Sequence, residues 1–332
     1  MAPSIKRRRA TRAKTGKRKD PENAAALTAL SRTTANIQRS VSIIGAGKLG
    51  TAFALALAAN GYAIEAVVTR RIQSARRTVN ALGTQTQALS ATQFARLSPS
   101  DILLITTPDD AIEAVAEQLT SAIKWTGRGR IALHASGALS SEALNSLRAI
   151  GFHIGSMHPL TSVSDSHLGA ERLRLAHFCI EGQPPAVRVA SSIVRALGGW
   201  SFSIQTRDKA LYHAAAVMTS GHVVALFDIA TALLTRCGLT DRQASEVLLP
   251  LLRSTVENLS RHTPARALTG TFARADTATV RKHLTALLAN SDSDALAAYK
   301  LLGLRSLLLA RENGADIVNL KKIKRILEGL EI

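Results

Sequence analysis

The chain has 332 residues, 46% of them hydrophobic, with 42 Lys and Arg against 24 Asp and Glu. That is enough apolar material for a sizeable core in two globular domains, and the formal charge of +18 invites an anionic ligand or a nucleic acid. The two cysteines, Cys179 and Cys237, lie far apart in apolar contexts. They argue against a disulfide framework or a metal site and fit buried, reduced thiols in a cytoplasmic protein.

In chain order, the first 39 residues come first and form a basic tail. Eleven Lys and Arg stand there against Asp20 and Glu22, a net +9 with almost no large apolar residue. Such a segment cannot offset the entropy of ordering and is expected to be disordered. It lacks the apolar core of a secretory signal. It could touch nucleic acid or an anionic membrane non-specifically, or be a solvated extension or the product of a start codon placed too early. Aromatic residues are 4% of the chain and none interleaves these charges, so no stacking platform accompanies the tail.

From residue 40 strands and helices alternate. The apolar run Val41-Ser42-Ile43-Ile44 leads into Gly45-Ala46-Gly47-Lys48-Leu49-Gly50, and Leu49, Ala52, Phe53, Ala56 and Leu57 continue at helical spacing to Asn60-Gly61. In this strand–turn–helix setting Gly45 permits the turn, Gly47 lets backbone approach a diphosphate, and Gly50 lets helix and strand pack closely. The helix N-terminus then faces the phosphates, and Lys48 in its first turn is well placed beside an anion. The second strand, 64–68, ends in Thr69-Arg70-Arg71, where an NAD-binding fold of this kind has an acidic residue. An arginine pair suits a 2′-phosphate, so NADP(H) is expected in preference to NAD(H). The alternative is that Arg70 and Arg71 merely open a basic surface helix.

Further strands are expected at 101–107, 130–133, 153–157, 176–180 and 201–204. They make residues 40–205 a doubly wound, mostly parallel α/β (Rossmann) domain. Ligands of such sheets lie beyond the carboxyl ends of the strands, which selects Thr107-Pro108, His134, Ser136 and His158. Thr107 and Pro108 suit the ribose next to a nicotinamide. Ser136 could orient a carbonyl or carboxylate, and His158 could donate a proton to a nascent alkoxide. His134 reads equally well as a buried histidine satisfied by backbone.

After residue 206 strand signals stop, and helices are expected over 207–236, 240–261, 276–290 and 292–313. A basic amphipathic segment follows from residue 320 to the C-terminus. The run 213–234 carries His213, His222 and Asp228, which favours a buried helix over a membrane span. Lys209, His213, Ala216 and Ser220 share one helical face, a polar stripe that would need partners in a substrate cleft between the domains. Lys209 could protonate or bind a substrate oxygen with His213 assisting, or could simply be exposed at the helix start. Asp276 is a candidate for the same cleft and equally an N-cap.

Five motifs in order, Gly45-Ala46-Gly47-Lys48-Leu49-Gly50, Thr107-Pro108-Asp109-Asp110-Ala111-Ile112, His134-Ala135-Ser136-Gly137-Ala138-Leu139, Gly155-Ser156-Met157-His158-Pro159-Leu160 and Leu211-Tyr212-His213-Ala214-Ala215-Ala216, resemble a bacterial family of Rossmann-like oxidoreductases whose C-terminal helical half is a domain of unknown function. That family is similar to the group containing 6-phosphogluconate dehydrogenase, pyrroline-5-carboxylate reductase, ketopantoate reductase and prephenate dehydrogenase. The resemblance spans about 40 to 315 and implies NAD(P) chemistry and a homodimer through residues 206–332. Thr271 and Ala275 depart from it, standing where Pro and Gly are expected. On this reading the protein is an NADP-dependent reductase or dehydrogenase of a small anionic carbonyl or hydroxy compound, ketopantoate-like 2-keto acids first. The alternatives are a non-catalytic NADP sensor or scaffold, and a nucleic-acid binder working through its tail.

Overall fold

A computed structural model describes residues 39–290 and 293–330. The disorder expected for the basic tail concerns residues outside that range, Arg39 excepted. The chain divides between Thr206 and Arg207 into two units.

In the first unit β1 (Ser40–Ile44), α1 (Lys48–Ala59) and β2 (Ala63–Thr69) form the βαβ element read from the glycine motif. The chain continues through α2 (Ile72–Leu82), β3 (Gln87–Ser90), a 3-10 turn (Ala91–Arg96) and β4 (Ile102–Ile105). A second 3-10 turn (Asp109–Ala111) opens α3 (Ile112–Ala122). Then come β5 (Ile131–His134), a 3-10 turn (Ser141–Leu144), α4 (Asn145–Ala149) and β6 (His153–Pro159). The last elements are α5 (Ser166–Leu173), β7 (His177–Gly182), α6 (Pro184–Ala196) and β8 (Trp200–Ser203).

The eight strands form one sheet in the order β3-β2-β1-β4-β5-β6-β7-β8. Every pairing is parallel except that of β6 with β7. Strand β4 reads as an unbroken apolar run, and β1 and β5 as mostly apolar runs that also carry Ser42 and His134, because both faces are covered. Val41, Ile43 and Leu104 pack with Phe53 of α1 and Ile193 of α6 in one core layer. Ile44, Leu103 and Ile105 pack with Ile112, Ala116 and Leu119 of α3 in the other. Full burial of each large side chain in these layers contributes about 1.5–3 kcal/mol. The order reverses between β1 and β4, and that reversal opens the crevice where a doubly wound sheet takes its ligand.

The second unit is helical throughout its described residues. Helices α7 (Lys209–Thr219) and α8 (Gly221–Arg236) occupy the stretch expected as one helix. Ser220, at φ −114° and ψ −80°, breaks it, and Gly221 follows. Next are α9 (Asp241–Arg261), the short α10 (Pro264–Ala267) and α11 (Gly270–Ala273), then α12 (Thr277–Ala289), α13 (Ser293–Glu312) and α14 (Ile317–Leu327). Thr240 and Gln243 close a capping box at the start of α9, and Asp276 accepts from Thr279 N at 3.0 Å as the N-cap of α12. The core gathers Val280 and Leu284 of α12, Leu307 and Ala310 of α13, and Ile323 and Ile326 of α14.

Two expectations need correction. No residue of α8 is buried, and Lys209 is the one buried residue of α7, so the run 213–234 is not a buried helix. By length and composition the stretch Thr206–Arg236 is long and apolar enough to cross a membrane, with a mean hydropathy of 1.6. Of the cysteines, Cys179 is buried as expected, but Cys237 is exposed, because it follows the last turn of α8 on a surface rather than within a core.

Candidate functional site

The turn after β1 is built by three glycines with three separate reasons. Gly45 sits at φ +98°, and a Cβ there would come within 2.8 Å of Thr107 N. Gly50 packs so close that a Cβ would lie 1.9 Å from Gly45 O. Around Gly47 no atom lies within 4 Å of the Cβ position, so its missing side chain leaves open space on the ligand side. Gly45 N donates to Val68 O at 2.7 Å, Thr106 N to Ile44 O at 2.8 Å, and the Thr106 hydroxyl to Gly45 O, which pins the loop to both neighbouring strands. No side chain caps α1 and no acid stands in its first turn, so its positive end is presented to the loop.

The end of β2 carries the second feature. The Thr69 hydroxyl donates to Arg71 O at 2.6 Å and accepts from Ala75 N at 3.1 Å, locking the bend that presents Arg70 and Arg71. Both arginines are exposed, and no ion pair among the described residues engages either. Helix α2 begins without a side-chain cap or an acid in its first turn.

Gly45, Gly47, Lys48, Leu49, Thr69, Arg70, Arg71, Thr107 and Pro108 all line one cleft of about 990 Å³ in the first unit. Gly50 lies beneath it as a packing position. The far wall is Ala91 and Phe94 from the 3-10 turn after β3, with Ala114, Val115 and Gln118 from α3. Ala91 and Phe94 escape the sequence reading because β3, Gln-Ala-Leu-Ser, has one buried residue in four and gives little strand signal. The Thr107 hydroxyl is buried without a hydrogen-bond partner. An orphaned donor in the wall of a cleft fits a bound polar group.

The other strand-end residues divide. His134 is wholly buried; its Nδ1 accepts from Ser136 N at 3.1 Å, which leaves Nε2–H to donate to Ser140 O at 3.0 Å. It is the backbone-satisfied histidine of the two readings. The Ser136 hydroxyl accepts from Ala138 N at 3.1 Å and Leu139 N at 3.0 Å, so it holds the turn after β5. Beneath that turn lies Glu181, 3% exposed, which accepts from Ser141 N at 2.6 Å, Ser141 Oγ at 2.9 Å and Thr206 Oγ1 at 3.2 Å. A lone acidic residue on a strand carries no sequence signal for this clamping role. His158 is half-buried near the end of β6, opposite Cys179 of β7. Neither Ser136 nor His158 lines the cleft described above.

In the second unit Lys209 is 2% exposed, which rules out a solvated lysine at the helix start. Its Nζ lies 5.7 Å from the centre of the Tyr212 ring, within cation–π range. His213 is half-buried on the same face of α7, one turn on. The loop that departs from the family pattern keeps a left-handed residue all the same: Ala275 sits at φ +52° and is 3% exposed. Asp276 is an N-cap, and the amide and hydroxyl of Thr279 hold its carboxyl below the usual range.

Residues 26–159 match the Rossmann-like domain family, and residues 176–306 match DUF2520, a domain of unknown function. The chain thus joins a Rossmann-like domain to a DUF2520 domain. Among curated proteins no sequence matches it. Among solved structures it is similar to protein TM1727 from Thermotoga maritima, at 22% identity and a TM-score of 0.64 over 82% of this chain and 99% of that one. A reductive aminase from Aspergillus terreus, in complex with NADPH and ethyl levulinate, aligns at 19% identity and a TM-score of 0.53 over 88% and 93%. A pyrroline-5-carboxylate reductase from Coxiella burnetii aligns at 13% and 0.53 over 89% and 99%. At these identities the likeness is one of fold.

Proposed function

We propose that the protein is an NADP(H)-dependent oxidoreductase that moves a hydride to or from a small anionic carbonyl or hydroxy compound of the 2-keto acid type. The observation that carries this reading is the cleft itself, where open space at Gly47 and unpaired arginines at the end of β2 stand at the two places a dinucleotide phosphate requires. The reductive aminase of the same fold is a complex with NADPH, which supports the choice of cofactor.

Gly45 to Leu49 would hold the diphosphate against the start of α1, with Lys48 beside it. Arg70 and Arg71 would take the 2′-phosphate, and Thr107 and Pro108 the ribose next to the nicotinamide. When bound, the cofactor supplies the hydride, and the protein's task is to position it and manage charge. His158 is the proposed proton donor to the substrate oxygen, with the turn held by Ser136 beside it. Lys209 and His213, a cationic and a protonatable side chain one turn apart on the same face of α7, are the proposed binding groups for the substrate's negative charge.

The working form is proposed to be a homodimer through the helical unit. Leu211 of α7, Val224 of α8, Leu251 and Val256 of α9 and Leu301 of α13 are each more than half exposed. Patches of that kind mark association surfaces, and His213, His222 and Asp228 within the run make lipid a poor cover.

The test is NADPH oxidation against a panel of 2-keto acids and cyclic imines, alongside calorimetric binding of NADPH. Turnover of an anionic keto acid supports the reading. NADPH binding with no turnover on the whole panel favours a sensor, and absence of binding removes the proposal.

A further inference from the structure

Two hydroxyls stand near the arginines at the end of β2, and they are not equivalent. That of Thr69 donates to Arg71 O and accepts from Ala75 N, so its proton is committed to the bend. Ser74, in the first turn of α2, lines the cleft beside Arg70 and Arg71. One turn further along, Arg77 Nη2 donates to Ser74 Oγ at 3.0 Å. A guanidinium has donors only, so Ser74 Oγ is the acceptor in that bond and its own proton remains to be given elsewhere. That hydroxyl makes no second hydrogen bond among the described residues. The cationic neighbour also makes the hydroxyl a stronger donor.

We propose that Ser74 donates to the 2′-phosphate of the cofactor and that Arg77 is the positioning residue that turns the Ser74 proton toward it. The inference rests on the NADP(H) reading above. A phosphate dianion accepts only, so it gains from a hydroxyl whose lone pair is already occupied. A 2′-hydroxyl can donate or accept and gains little. Ser74 and Arg77 therefore act on the choice between the two cofactors rather than on nucleotide binding in general.

The test is calorimetric titration of the full chain with NADPH and with NADH, for the wild type and for Ser74→Ala, Arg77→Ala, Arg77→Lys and the Ser74→Ala/Arg77→Ala double variant. Loss of one charge-assisted hydrogen bond predicts an approximately tenfold weaker NADPH complex for Ser74→Ala, with NADH unchanged within about twofold. Arg77→Ala weakens NADPH by about threefold, again without effect on NADH, and Arg77→Lys, which keeps a donor, recovers most of that loss. Because Arg77 acts through Ser74, the double variant is no weaker than Ser74→Ala. Equal losses for both nucleotides, no loss, or losses that multiply in the double variant overturn the inference. Wild-type protein that binds no NADPH overturns the NADP(H) reading beneath it, whereas wild-type binding with indifferent variants overturns this inference alone.

Discussion

Replacing Gly47 and Gly50 separately by alanine sets two glycines of one motif against each other. At Gly50 the new Cβ would lie 1.9 Å from Gly45 O and 2.4 Å from Thr106 Oγ1. The first of these is backbone, so the helix or the loop must move and the Thr106–Gly45 hydrogen bond goes with it. Overpacking of that kind costs about 3 kcal/mol, a fall in Tm of roughly 6–12 °C for a domain of this size. At Gly47 no atom lies within 4 Å, and the backbone, at φ −75° and ψ −163°, suits any residue. Alanine is a poorer N-cap than glycine by about 0.5–1 kcal/mol, but it stiffens the unfolded chain by about 0.4–1 kcal/mol, so the Tm should stay within about 2 °C. The methyl group would stand where the diphosphate approaches, and NADPH should bind at least about tenfold more weakly. Thermal melts by circular dichroism and calorimetric titration read the two effects independently. A Gly47→Ala variant that binds NADPH like the wild type, or a Gly50→Ala variant as stable as the wild type, refutes the assignment of these glycines.

Ala275 holds a left-handed conformation that costs an alanine about 1–2 kcal/mol, partly offset by the greater entropy of a glycine chain, so Ala275→Gly should raise the Tm by about 1–4 °C; no rise would mean the turn is not strained. His134→Ala should lower the Tm by at least about 4 °C by orphaning Ser136 N and Ser140 O, yet leave NADPH affinity intact by calorimetry. Asp276 has a folded pKa below its ordinary 3.8, so its contribution is fully present above that value and is lost as pH falls through the lower folded pKa. Melts of Asp276→Ala should therefore trail the wild type at pH 7 and converge with it in strong acid; a gap that persists there contradicts the capping role. Lys209→Met should cut kcat/KM by about 100-fold with no loss of Tm, measured by steady-state NADPH oxidation and thermal melts. The paired change Leu211→Glu and Leu251→Glu should convert a dimer to monomers in sedimentation velocity, and an unchanged sedimentation coefficient would remove the dimer proposal.

The glycine loop was legible because each requirement is local: a positive φ at Gly45, a close approach at Gly50 and an opening at Gly47 belong to one short segment. The sheet was legible where strands are buried on both faces, as in Ile102–Ile105. It was not legible at β3, which has one buried residue, nor in the antiparallel pairing of β6 with β7, which no local pattern encodes. The part of the far wall formed by Ala91 and Phe94 was lost with β3, since both enter through the turn that follows that strand. The sequence offers Ser136 as a group that could orient a carbonyl or carboxylate; that its hydroxyl also holds a turn depends on backbone amides two and three residues on. The exposure of α7 and α8 could not be foreseen from an apolar run, because a run of that kind is silent about whether its own chain or another surface covers it.

The most direct measurement is calorimetric titration of the wild-type protein and of the Arg70→Ala/Arg71→Ala variant with NADPH and NADH. The account predicts that the wild type prefers NADPH by at least about tenfold and that the variant loses most of that preference while its weaker NADH binding persists. Absence of binding by either nucleotide at millimolar concentration, or equal losses for both in the variant, would contradict it.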